Sequence, residues 1–128
     1  MFLWRIRQAE YGIFALGDES ECPTLDFLKQ LGAEDPREFA KVQARLDQTS
    51  HNGPPHNESQ CNALGNGCFE LKTKKVRLAC FWDAGRLILC SHAFVKRGQK
   101  TPKLELERLY ANKERYFKEK QRENERKR

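Results

Sequence analysis

Between Cys68 and Lys103 the chain carries nine lysines and arginines against two acids, and most of its candidate chemistry lies there. Glu70 and Lys72 are spaced two apart, which puts both side chains on one face of an extended strand. Arg77 follows in a second alternating run, and its planar fork of donors matches the geometry of a phosphate. Lys74 and Lys75 lie between the two runs. His92 ends a mostly apolar run, and Lys96, Arg97 and Lys100 come directly after it. A carboxylate, an imidazole and several cations are groups that can take up and give up protons and stabilise charge on a phosphate. Plainer readings stand beside these. Glu70 and Lys72 make an ordinary surface ion pair, and a lone histidine in an apolar strand is more often a hydrogen-bonded core group.

The elements that must hold these groups are three strand-like runs. Cys68–Thr73 alternates apolar and charged residues, Val76–Trp82 alternates and then turns continuously apolar, and Arg86–Val95 is mostly apolar. Asp83-Ala84-Gly85 joins the last two, with glycine where a hairpin needs positive φ. The segment's net charge is +7, against −4 for residues 1–67 and +3 for residues 104–128. More charge than the whole molecule's +6 therefore falls on one small antiparallel sheet, and phosphate is the partner such a surface implies. Thr101-Pro102 reads as N-cap and first turn of a final helix, whose N-terminus adds partial positive charge. Gln99 and Thr101 are further donors there, although a cap accounts for Thr101 more simply.

Ahead of this sheet the sequence reads as scaffold. Phe2–Leu16 is extended, as one strand or a hairpin; Arg5 and Arg7 are candidates for RNA contact, although a solvated strand face accounts for them more simply. Pro23-Thr24 opens a short helix with Leu25, Leu28 and Leu31 on one side and Gly32 as its stop. Asp35, Pro36 and Glu38 make a second helix start, and Phe39, Val42 and Leu46 are spaced to pack on a sheet. Thr49–Asn66, rich in Asn, Gly, Pro and Ser, reads as a long loop. Its His51 and His56 are acid–base candidates, though loop histidines are more often simply solvated. At the other end, Leu104, Leu106, Leu109, Tyr110 and Phe117 mark the last helix. The KEKQRENERKR that follows has no apolar anchor and is expected to fray.

The order FELK, then VRL, then HAFVKRGQKTP before a helix resembles the HigB branch of the RelE/ParE toxin superfamily. There a strand close to YELR precedes one carrying an arginine and then an H-x-F-x-K-K-x-x-K-T-P run. The resemblance covers residues 23–117 and is densest from His92 to Pro102. It implies an α+β, RelE-like fold: a small twisted, mostly antiparallel sheet packed by an N-terminal helical hairpin, with a C-terminal helix. Residues 1–117 would form a single toxin domain and residues 118–128 a charged tail. The implied activity is a ribosome-dependent mRNA endonuclease, the toxin of a type II toxin–antitoxin system. Its partners would be the ribosome, mRNA and a cognate antitoxin of helix-turn-helix type. Carried over by motif, Glu70, Lys72 and Arg77 are catalytic candidates, joined by His92 and Lys96, and the RNA-phosphate ligands expected beside them are Lys74, Lys75, Arg97 and Lys100. Phe69 stands where the motif has tyrosine and Lys72 where it has arginine. A further departure is that many related endonucleases place a catalytic tyrosine or histidine near the C-terminus, whereas Tyr110 and Tyr116 here lie on the last helix, where packing explains them. Two alternatives remain: a ParE-like gyrase inhibitor on the same fold, and a catalytically silent nucleic-acid-binding relic.

The 128 residues suffice for one core. No run approaches the roughly 18 apolar residues of a membrane span, and the N-terminus does not read as a signal peptide. Five cysteines with no CxxC pair point to reduced, buried thiols and a cytoplasmic setting. His51, His56, Cys61 and Cys68 are zinc-favoured types, but their spacing matches no finger pattern. No metal or cofactor is expected.

Overall fold

The computed structural model describes residues 1–127. Its elements run β1 (Phe2–Gln8), β2 (Gly12–Gly17), α1 (Pro23–Glu34), α2 (Pro36–Asn52), β3 (Cys61–Gly65), β4 (Cys68–Lys72), β5 (Val76–Trp82), β6 (Leu87–Val95) and α3 (Lys103–Arg126). Six strands form one mixed sheet in the order β1-β2-β6-β5-β4-β3. Only β2 and β6 run parallel, and the other neighbours are antiparallel. The extended N-terminal segment is thus a hairpin, and both helices of the α1–α2 pair follow it.

Helices cover the sheet on both sides, which explains why β5 is buried along nearly its whole length and reads as a continuous apolar run. On one face Leu28, Val42 and Leu46 of α1 and α2 pack against Ile13, Leu71, Leu78 and Ile88. On the other, Leu109 and Tyr116 of α3 pack against Leu16, Phe81 and Leu89. Phe81 is wholly buried, which is worth about 2–3 kcal/mol for a side chain of this size. No helix among the described residues is long and apolar enough to cross a membrane.

Several boundaries differ from the sequence expectation. α1 continues through Gly32 to Glu34; the break falls at Asp35, where the following proline disfavours helical geometry. The Asp35 side chain then caps α2 by accepting the Glu38 N–H at 3.2 Å. The expected loop over Thr49–Asn66 contains the end of α2 and all of β3, leaving only residues 53–60 irregular. Thr49 and Ser50 are buried there, with hydroxyls donating to Arg45 O (2.8 Å) and Tyr11 O (3.2 Å). Asn66 and Gly67, both at positive φ, then close β3 onto β4 as an Asn-Gly hairpin turn.

α3 begins at Lys103 rather than at the Thr101-Pro102 pair, with Pro102 as its N-cap. It also runs on through Arg126, well past the expected fraying point at Phe117; Arg128 of the expected tail lies outside the described residues. Tertiary charge contacts supply what the missing apolar anchors could not. Asp83, on the β5–β6 turn, accepts the Tyr116 hydroxyl at 2.6 Å and the Lys120 ammonium at 2.8 and 3.0 Å. The N-terminal ammonium pairs with Glu119 at 2.6 Å. Burial raises the Asp83 pKa, but the bonds from Lys120 and Tyr116 outweigh it and leave the carboxyl below its ordinary value.

Replacing this carboxylate should therefore loosen the far end of α3. Asp83→Asn is expected to cost roughly 1.5–3 kcal/mol, the usual worth of hydrogen bonds to a charged group. A urea midpoint equal to that of the wild type would show that Asp83 does not anchor the helix.

Candidate active site

Strand register brings the basic residues together. Glu70 faces Ala79 and Lys72 faces Arg77 across β4 and β5, while Arg77 faces Phe94 across β5 and β6. Since cross-strand partners share a face, Glu70, Lys72, Arg77 and Phe94 lie together on the α3 side of the sheet. α3 packs farther along that face, through Leu109 and Tyr116. The segment leading into it, residues 96–102, crosses over the uncovered end. The result is a narrow cleft, with about 10 Å³ of free room, that has Glu70, Arg77 and Phe94 as floor and Lys96, Arg97 and Lys100 along its rim.

The floor is well ordered by hydrogen bonds. Glu70, 3% exposed, accepts the Thr101 hydroxyl at 2.9 Å, so Thr101 ties the basic segment to β4 rather than capping α3. Arg77 is 7% exposed, and its Nη1 donates to the carbonyls of Thr73 (2.6 Å) and Val76 (3.0 Å). Lys96 N–H donates to Lys75 O at 2.7 Å, fastening the start of the rim to the β4–β5 turn. Among the described residues no carboxylate pairs with Lys96, Arg97 or Lys100, and all three are exposed.

The remaining candidates sit elsewhere or are engaged. Lys72 donates to Glu58 O at 2.9 Å, pinning the 53–60 loop beside the cleft. Lys74 is exposed on the β4–β5 turn. Lys75 on the same turn pairs with Asp35 at 2.8 Å; their hydrogen bond holds Asp35 below and Lys75 above its ordinary pKa. His92 is only 1% exposed, stacked on Phe94 with ring centroids 5.7 Å apart. Its Nδ1 lies 2.8 Å from Ser91 Oγ, and its Nε2 lies 3.4 Å from Glu105 without forming a hydrogen bond. Burial and the nearby Arg108 charge push its pKa down to about 4, so the ring is neutral near pH 7 and closed off from the cleft. The Tyr110 and Tyr116 hydroxyls donate to Leu64 O and Asp83, both at 2.6 Å. His51 lies on α2 against Asp47 O, and His56 lines a separate groove along β3. Arg7 is held by Asp47 and Gln43.

Sequence reasoning missed Glu38. As the third residue of a helix after an Asp cap it reads as half of a capping box, whose side chain would return to the Asp35 N–H. That N–H instead donates to Leu31 O at 2.7 Å, and the Glu38 carboxylate reaches the β4–β5 turn. There it accepts the Thr73 hydroxyl at 2.5 Å and the Lys75 N–H at 2.9 Å. Burial raises its pKa, but these bonds and the Lys41 charge outweigh that, leaving it below its ordinary value. Phe94 was also missed, because in sequence it is one more apolar residue of a strand.

A family model described as "Phage derived protein Gp49-like (DUF891)" matches residues 26–114, well over half of the chain. The match runs from α1 into α3 and includes the whole cleft. The chain therefore belongs to the Gp49-like phage-derived family, a RelE/toxin-like family. No curated protein matched it.

A group whose folded pKa is lowered stabilises the fold above its unfolded pKa and loses that effect as pH falls through the folded value. Glu38 should thus contribute fully at neutral pH and progressively less below the ordinary glutamate range of about 4.3. Glu38→Gln is expected to cost roughly 2–3 kcal/mol at pH 7 and to flatten the acid limb of the stability profile. An acid limb parallel to that of the wild type would show that the Glu38 charge does not hold the turn.

Proposed function

We propose that the chain is the toxin of a type II toxin–antitoxin system, related to the HigB branch, that cuts mRNA on the ribosome. The observation that carries this reading is the convergence of unpaired Lys96, Arg97 and Lys100 over a floor of Arg77 and Glu70 in one cleft, in a RelE/toxin-like family.

In this reading the ribose 2′ oxygen attacks the adjacent phosphorus, the bond to the 5′ oxygen breaks, and the exposed rim ammonium of Lys96 protonates that oxygen, leaving a 2′,3′-cyclic phosphate and a 5′-hydroxyl. Among the described residues Glu70 is the one carboxylate lining the cleft, and it takes the 2′-OH proton. Two-metal phosphate chemistry relies on ligands that hold a pair of cations about 3.5–4 Å apart, which a single carboxylate among lysines and arginines does not offer. Arg77 presents its free guanidinium edge to the scissile phosphate, and the rim cations stabilise the charge that grows there. Lys72 shares the strand face with Arg77 and is close enough in register to support it. His92 has no part in this scheme, because burial keeps it neutral and covered. The cation cluster would dock on rRNA and mRNA in a cytoplasmic setting, and an antitoxin of helix-turn-helix type would neutralise it.

One observation favours the gyrase-inhibitor alternative: Arg77 already gives Nη1 to two backbone carbonyls, as a purely structural arginine would. Inducible expression in a bacterial host, with primer-extension mapping of a translated reporter mRNA, separates the two. Wild-type protein should give cuts in register with codons that vanish when the start codon is removed. Arg77→Lys should weaken them about 100-fold, the scale of losing one positioned charge stabiliser. The exposed double variant Lys96→Ala, Lys100→Ala should weaken them without loss of folded protein. Growth arrest with no such cuts would reject the endonuclease and leave gyrase.

A further inference from the structure

Beside the basic cleft lies an apolar groove that the proposed reaction does not use. β2 pairs with β6 only over Leu87–Cys90, so the last stretch of β6 has no strand neighbour on that side. The Lys96 N–H points to β5, where it meets Lys75 O. Alternation along an antiparallel ladder then turns the backbone N–H and C=O groups of Ala93 and Val95 to the open edge. Phe27 of α1 and Leu104 of α3 wall this edge, enclosing a groove of about 430 Å³.

Its exposed apolar surface is not explained by the core. Of the three large hydrophobic residues that stand well exposed among the described residues, two are here: Val95 at 53% and Leu104 at 77%. Single exposed leucines are common, but two beside an open strand edge and a cationic loop mark a contact surface. Phe94, Arg97 and Pro102 line both the cleft and the groove, so the two sites are continuous. The groove's own charges are Arg97 on the cleft side and Glu105 at its far wall. A phosphate would meet the Glu105 carboxylate there, whereas an uncharged, flat, apolar-faced group with hydrogen-bonding edges would not.

Resting on the nuclease reading, we infer that this groove holds a nucleobase of the RNA strand whose phosphate lies in the cleft. Val95 and Leu104 contact the base face, and the free N–H and C=O groups of Ala93 and Val95 meet its edge. Arg97 bridges the two sites, pairing with the intervening phosphate. Apolar contact with a base face adds to affinity independently of the backbone electrostatics, which produce the salt dependence.

The test compares fluorescently labelled single-stranded RNA with an oligomer of equal length and charge that has abasic residues at its central positions. Wild-type protein should bind the base-bearing RNA roughly fivefold more tightly, the scale of burying a small apolar contact. The double variant Val95→Thr, Leu104→Asn replaces two exposed side chains and should retain the fold, as circular dichroism would verify. It should bind both oligomers alike, with an unchanged salt slope. Lys96→Ala, Lys100→Ala should do the reverse, keeping the preference while flattening the slope. Equal wild-type binding of the two oligomers would overturn the groove alone and leave the open edge to an extended peptide. A preference that survives in the Val95–Leu104 variant would also overturn it. Failure of the wild type to bind either oligomer at low salt would remove the RNA reading and the groove with it.

Discussion

The cleft depends on one buried carboxylate. Glu38 sits in the first turn of α2, 2% exposed, and its two hydrogen-bond partners, the Thr73 hydroxyl and the Lys75 N–H, both belong to the β4–β5 turn. A charge so placed is costly unless its bonds are complete, so the turn is held in one position relative to the helices. That turn also supplies the carbonyls of Thr73 and Val76 that fix Arg77, and the carbonyl of Lys75 that receives the Lys96 N–H. Floor and rim of the basic cleft are therefore indexed to the same few atoms. A helix on the opposite face of the sheet sets the geometry of the site.

The second determinant is incomplete cover. α1 and α2 close one face of the sheet, but α3 reaches only part of the other, because the chain must first climb from the end of β6 through residues 96–102. That connecting segment carries three cations with no carboxylate partner among the described residues, whereas the cations of α3 are mostly paired with acids one turn away or with the sheet. Lys118 meets Glu114, Arg115 meets Glu119 and Lys120 meets Asp83. Surface pairs of this kind contribute little to stability, but they offset part of the positive charge of the helix. The larger excess, +7, belongs to residues 68–103, which include the cleft and its three rim cations, and positive charge gathered in a concave site attracts anions.

α3 also shows how the end of a helix stays in place without an apolar anchor. Its middle packs by Leu109 and Tyr116, and its far end is held by Asp83 and the N-terminal ammonium. Tyr110 and Lys113 meanwhile reach the carbonyls of Leu64 and Asn66 on the β3–β4 hairpin. Polar contacts to three separate parts of the chain thus dock one helix.

Much of this was legible in the residues. Alternation and the continuous apolar run placed β4, β5 and β6 to within a residue or so, since period and burial are local properties of a strand. The Asp35-Pro36 start of α2 was equally plain, because a cap and a first-turn proline act within one turn. The gathering of cations beside Glu70 followed from strand spacing and the motif. Tertiary structure decided the rest. Whether Thr49–Asn52 is helix depended on burial of Thr49 and Ser50 against the β1–β2 hairpin, and β3 depended on a partner strand for its hydrogen bonds. The helical course of residues 118–126 required Asp83 and Met1, both distant in sequence. Glu38, Thr101 and His92 took their partners or their enclosure from residues more than ten positions away. No local pattern encodes such a choice, because a polar side chain bonds to whatever the assembled fold brings within about 3 Å.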